Sequence, residues 1–201
     1  MESIQSEDYK GYKIEIFQDE NPESPREWDN LGKMVCFHNR YELGDKHNLK
    51  ADYFESWADM EKQLKKSGAV VILPLYLYDH SGISMYIPGD GGYRQHEAWD
   101  SGQVGYIYAT REDILKDYSV KTINKNLLVK VEEVLRAEVE TYNQYLTGEV
   151  YGYVVSKPQT CNLGESHNTE EASCWGFYGL EDCLTEAKNS VDWKLGQPVT
   201  V

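Results

Sequence analysis

Hydrophobic and polar positions change period several times along the chain, and each change marks an element. Residues 9–17 alternate, with Tyr12, Ile14 and Ile16 set between Lys13, Glu15 and Phe17, the period of a strand with one buried face. Asn21, Pro22, Ser24 and Pro25 then interrupt regular structure, because each proline removes a donor and restricts the residue before it. Met34, Val35, Cys36 and Phe37 make residues 33–38 a second strand, too continuously apolar for a face open to water. Ser56 with Asp59 at capping-box distance, and Trp57, Met60 and Leu64 on one face, predict a helix over 56–66 that Gly68 ends.

The run 69–78 is rich in branched and aromatic residues and is the candidate central strand, with a bulge or a missing ladder bond at Pro74. Asp79-His80-Ser81-Gly82 breaks it. A short strand follows over 83–87, a loop over 88–92, and a further strand over 104–110, antiparallel to the central one. Thr110 with Asp113 caps a short helix reaching Asp117. Leu127, Leu128, Val131, Val134, Leu135 and Val139 recur at helical spacing and predict a long helix from Asn124 or Asn126 to Leu146. Residues 150–155 read as a strand, 158–171 as a polar excursion, 175–178 as a last strand and 180–191 as a closing helix with Leu184, Ala187 and Val191 inward. Strands and helices interleave without a strict βαβ period, so the expected fold is α+β: a mainly antiparallel sheet with a long helix and two or three shorter helices packed on one face. No repeat and no dividing linker is present in the 201 residues, which are read as one domain.

Composition changes the picture at one point. A hydrophobic content of 40% is that of a globular protein, and no apolar run reaches bilayer-spanning length. The polar, acidic start MESIQSEDYK differs from an export signal, so the reading is cytoplasmic and without a membrane partner. The formal charge of -14 is the strong global signal. It disfavours direct nucleic-acid binding and leaves two readings: acidity for solubility, or carboxylates presented to a basic surface that otherwise holds DNA or RNA.

The stretch 19–47 concentrates ionisable residues around a short apolar run, either as an ordinary long connection or as part of a site. Asp29, Asn30, Asp45 and His47 could meet Asp79, His80 and Asp100 at one sheet edge. Such an oxygen-rich set suits calcium or magnesium, and histidine shifts it toward manganese or zinc; a divalent metal is therefore the candidate cofactor. The same residues also serve as turn and cap formers. Cys161, His167, Cys174 and Cys183 offer zinc donors but lack the paired spacing of a zinc module. Tyr76, Tyr78, Tyr106 and Trp99 are candidates for a pocket that stacks a nucleobase, although tyrosines spaced two apart more often cover a half-buried sheet face. Phosphate-loop, dinucleotide, zincin and nucleophile-elbow signatures are missing, and a Cys36 nucleophile with His38 or His80 as base has nothing to single it out.

Three strings, WDNLGKMVCFHNRYELGD (28–45), LPLYLYDHSG (73–82) and WDSGQVGYIY (99–108), resemble a family of acidic proteins of phages and bacterial mobile elements, over roughly residues 19–155. The family has no assigned activity, so the resemblance carries over no catalytic roles. It implies a setting: an accessory protein acting by binding against host defence, either by covering the basic nucleic-acid channel of a restriction or CRISPR-type nuclease or by sequestering a nucleotide signal. In the first version Asp19, Glu20, Glu23, Glu27, Glu132, Glu133 and Glu140 stand in for phosphates; in the second the tyrosine pocket beside Asp79, His80 and Asp100 holds a nucleotide or metal. A metal-dependent hydrolase on the same acids is the third reading.

Overall fold

A computed structural model describes residues 2–89, 101–160 and 166–197. In chain order the elements are β1 (Gln5–Tyr9), β2 (Tyr12–Gln18), β3 (Lys33–Cys36), α1 (Trp57–Lys66), β4 (Ala69–Asp79), β5 (Ile83–Tyr86), β6 (Ser101–Thr110), α2 (Arg111–Asp117), α3 (Lys125–Thr147), β7 (Val150–Thr160), β8 (Ser166–Tyr178) and α4 (Leu180–Lys194), with short 3-10 turns at Pro25–Glu27 and Ala51–Tyr53. The class is α+β, and every strand pairing is antiparallel. Among the described residues no helix is long and apolar enough to cross a membrane.

Where the sequence suggests one sheet, the strands form two four-stranded sheets, in the orders β1-β2-β7-β8 and β3-β6-β4-β5. They belong to two compact units. One comprises Met1–Glu23 with Gly148–Val201, and the other Ser24–Thr147.

In the unit made from the two chain ends, β2 turns Tyr12, Ile14 and Ile16 inward against Tyr153 and Val155 of β7 and Cys183, Ala187 and Val191 of α4. Each fully buried Ile or Val there is worth about 1.5–3 kcal/mol relative to exposure. The spacing of 183, 187 and 191 keeps one stripe of α4 on the sheet. Lys10 (φ 50°) and Gly11 (φ 82°) make the tight turn between β1 and β2, with both central residues left-handed as a type I′ hairpin requires. The described residues of the stretch read as a polar excursion, 158–160 and 166–171, belong to strands β7 and β8, where Lys157 pairs with Thr169 and Pro158 with Asn168. Residues 157–159 and 167–168 are exposed, so no apolar face marks this stretch in the sequence.

In the central unit, the continuous apolar run of β4 supplies two faces rather than one. Val71, Leu73, Leu75 and Leu77 pack with Ile107, Ala109, Met34 and Met85 under Val131, Leu135, Val139 and Tyr142 of α3. On the opposite side Met60 and Leu64 of α1 cover Val35, Ala69 and Tyr106. Helices therefore lie on both faces of this sheet, not on one. Pro74, where a bulge or a missing ladder bond was expected, is paired in register with Tyr106; the shifts fall between Leu75 and Tyr76 and between Ala69 and Val71. Ser56 caps α1 through its side chain and Asp59 N–H, and Thr110 caps α2 through Asp113 N–H, as the sequence predicts.

Candidate functional site

A constellation of polar side chains in the central unit is built around Arg26. Ser24 caps the turn Pro25–Glu27, its hydroxyl accepting the Arg26 N–H at 3.3 Å. This directs the arginine into the protein, where its side chain is only 4% exposed. Nε donates to Asp45 Oδ1 at 2.8 Å and Nη2 to Asp45 Oδ2 at 3.1 Å, a bidentate pair. Nη1 donates to Glu138 Oε2 at 2.9 Å, and Nη2 also reaches the Gly32 carbonyl at 2.6 Å. The carboxylates are held in turn: Glu138 Oε1 accepts the Gly32 N–H at 3.0 Å and Asp45 Oδ2 the Met34 N–H at 2.7 Å. Gly32 must be glycine, because an added Cβ would collide with Leu135 and Glu138 of α3.

Burial pushes the Glu138 carboxyl above the usual carboxylate range, partly offset by Gly32 N–H and Arg26. For Arg26 burial pulls down, but the hydrogen bonds it donates to Asp45 and Glu138 outweigh it and the net direction is up. One guanidinium facing two carboxylates leaves this network with a surplus negative charge whenever Glu138 is ionised.

A cleft of about 880 Å³ opens beside the network, lined among others by Arg26, Glu27, Cys36, Tyr41, Glu42, Lys46, His47, Tyr142 and Tyr145. Its walls hold two stacked ring pairs, His38 with Tyr41 (centroids 5.0 Å apart) and Tyr142 with Tyr145 (6.1 Å). Gly44 N–H donates to the Tyr142 phenol oxygen at 3.0 Å. His47 Nε2 lies 3.0 Å from the Cys36 carbonyl. A carbonyl only accepts, so Nε2 carries the proton; Nδ1 is buried without a hydrogen-bond partner. Burial, with Asp45 adding to it, pushes the Cys36 thiol up to about 12, the opposite of what a nucleophile needs.

The described residues among those singled out as metal ligands are not gathered. Among the described residues no three His, Cys, Asp or Glu side chains stand close enough to share an ion. Asp45 is taken by Arg26, and His47 by the Cys36 carbonyl. Asp79 pairs with Arg40 and accepts the Tyr41 O–H at 3.4 Å. His80 N–H closes the β4–β5 turn onto the Gly82 carbonyl, and Asp29 lies exposed. Asp100 and Trp99 lie outside the described residues, as does Cys161. Of the remaining zinc candidates, Cys183 is in a core and His167 and Cys174 are exposed. The tyrosines separate as well. Tyr106 is buried under α1 with its hydroxyl on the Trp57 carbonyl at 3.0 Å, while Tyr76 and Tyr78 are half-buried, Tyr76 against Tyr86.

The carboxylates proposed to stand for phosphates divide between the units. On α3, Glu132 is paired with Arg136, whereas Glu133 and Glu140 are exposed, as is Glu27 on its turn. Asp19, Glu20 and Glu23 belong to the other unit, with Glu20 and Glu23 exposed. Sequence reasoning missed Arg26, Glu138, Tyr142 and Tyr145 as site residues. Of these Glu138 alone has a sequence mark that could have found it, an acid in the inward stripe 131, 135, 138, 142 of the long helix. Compared with family models, characterised proteins and solved structures, the chain finds no match.

Proposed function

We propose that this protein acts by binding rather than turnover, presenting exposed carboxylates to a basic, nucleic-acid-binding surface of a host protein. The observation that carries the reading is where the charge lies. The unit formed by the chain ends holds 15 acidic residues against 5 basic ones, while the central unit holds 19 against 15. All five cations of the acidic unit are engaged: Lys10 with Asp192, Lys13 with Glu15, Lys188 with Glu7, Lys194 with Glu171, and Lys157 over the Tyr12 ring. Glu20, Glu23, Glu170, Glu181, Asp182 and Glu186 are left exposed with no cation partner among the described residues. A charge that served only solubility would need no such segregation.

The phage or mobile-element resemblance gives this surface a setting, counter-defence inside a bacterial host, and a restriction or CRISPR-type nuclease as the class of target. The test is capture of host proteins on the tagged chain at low salt and at about 1 M, where exposed charges are screened. A nucleic-acid-binding protein should be retained at low salt only and displaced by duplex DNA. A variant carrying Glu170→Gln, Glu181→Gln, Asp182→Asn and Glu186→Gln should lose it. Undiminished capture of the same protein by that variant would overturn the reading.

A further inference from the structure

We infer that the cleft beside Arg26 is a receptor for an organic cation, a guanidinium or alkylammonium group presented by a polypeptide. Three features of the cleft converge on that chemistry. The first is its walls: Tyr41, Tyr142 and Tyr145 line about 880 Å³, and tyrosine faces carry the negative pole of a ring quadrupole that attracts cations. Tyr41 already takes one such group, the Arg40 guanidinium 5.6 Å from its centroid. The second is charge. The lining includes Glu27, Glu42 and Asp45 against Arg26 and Lys46, and Glu138 stands directly behind Arg26. Arg26 is consumed by its two carboxylates, so the rim acids Glu27 and Glu42 outnumber the one remaining cation.

An anionic ligand such as a nucleotide meets repulsion there, and a metal ion finds no set of three ligands among the described residues. An organic cation satisfies both the rings and the rim. The third feature selects its source. Tyr142 is 3% exposed, and its oxygen already accepts the Gly44 N–H. Its phenol proton has no acceptor among the described residues, so it is available to a carbonyl. A backbone carbonyl close to the cation is what an arginine or lysine within a polypeptide brings and a free amine does not.

The test is calorimetric titration of the whole protein with four probes: N-acetyl-arginine amide, its neutral isostere N-acetyl-citrulline amide, butylguanidinium and AMP. The arginine derivative should bind at one saturable site, with the citrulline derivative and butylguanidinium each at least about tenfold weaker, a difference of about 1.4 kcal/mol. Glu27→Gln with Glu42→Gln, both at exposed positions, should weaken the arginine derivative by a similar factor at unchanged Tm. Equal binding of citrulline, tighter binding of AMP, no binding of the arginine derivative, or indifference to the double substitution would each overturn the inference. Equal or tighter binding of butylguanidinium would overturn the polypeptide source. The site lies wholly in the central unit, so its affinity should be unmoved by the amide variant of the acidic unit, whatever that variant does to partner capture.

Discussion

Replacing Arg26 by Met tests the part of the structure on which the opening stretch depends. The guanidinium makes two hydrogen bonds to Asp45, one to Glu138 and one to the Gly32 carbonyl, from a side chain only 4% exposed. Charge-assisted bonds are worth about 1.5–3 kcal/mol each. They are not additive here, because Asp45 keeps the Met34 N–H and Glu138 the Gly32 N–H. What is lost is the only cation among the described residues that faces these two part-buried carboxylates, and removing one partner from a buried ion pair costs about 3–5 kcal/mol. With a urea slope of about 2 kcal/mol per molar, the midpoint of the central unit should fall by about 2 M. Hydrogen exchange over residues 127–142 in urea would localise the loss to α3.

The pH dependence supplies a second readout. Glu138 has its folded pKa raised by burial above the unfolded value. Its contribution is therefore fully present below the unfolded pKa and is lost as pH rises through the folded pKa. With Arg26 gone that loss deepens, so the variant should regain stability on acidification across the carboxylate range more than the parent does. Adding Glu138→Gln to Arg26→Met should recover part of the loss. A single-variant cost below about 1 kcal/mol, the level of an exposed pair, or a cost independent of pH would refute the reasoning.

Three further outcomes are expected. In native protein carrying Cys161→Ser, a thiol reagent should label Cys174 rapidly and Cys36 and Cys183 only on unfolding, since burial pushes both of those thiols up to about 12. Gly152→Ala should destabilise the acidic unit by about 1–3 kcal/mol and shift tryptophan emission, because the new Cβ would occupy the space where Trp175 lies over β7. Ser56→Ala should cost about 1 kcal/mol in unfolding experiments by removing the side-chain cap on Asp59 N–H.

Elements determined by neighbouring residues were legible in the chain. The Ser56 and Thr110 caps are hydrogen bonds over three positions, and the stripe of α3 is a 3.6-residue spacing readable along one helix. Three features depend on distant partners and were not. β1 is an edge strand of polar residues whose only local mark is the Lys10-Gly11 turn. β2 pairs with β7 across most of the chain, for example Ile14 with Val155, so nothing local shows that the strands sort into two sheets. Asp45 depends on an arginine 19 positions away whose other carboxylate is a further 112 positions along.

This last point bears on how ionisable clusters are read. The stretch 19–47 looked like a site because it holds more charged and polar side chains than a connection needs. Several of them turn inward. Asp45 ties Arg26 to the backbone of β3, and His47 ties its loop to the Cys36 carbonyl. Such inward bonds fix long loops that have little apolar surface of their own, and an aspartate engaged in this way is no longer available as a metal ligand. The charge still facing solvent is the better guide to function. Two parts of it enter the proposals made above, the rim acids Glu27 and Glu42 of the central unit and the uncompensated carboxylates of the acidic unit. Both favour a cationic counterpart, and because they lie on different units, amide substitutions at one can be scored without disturbing the other.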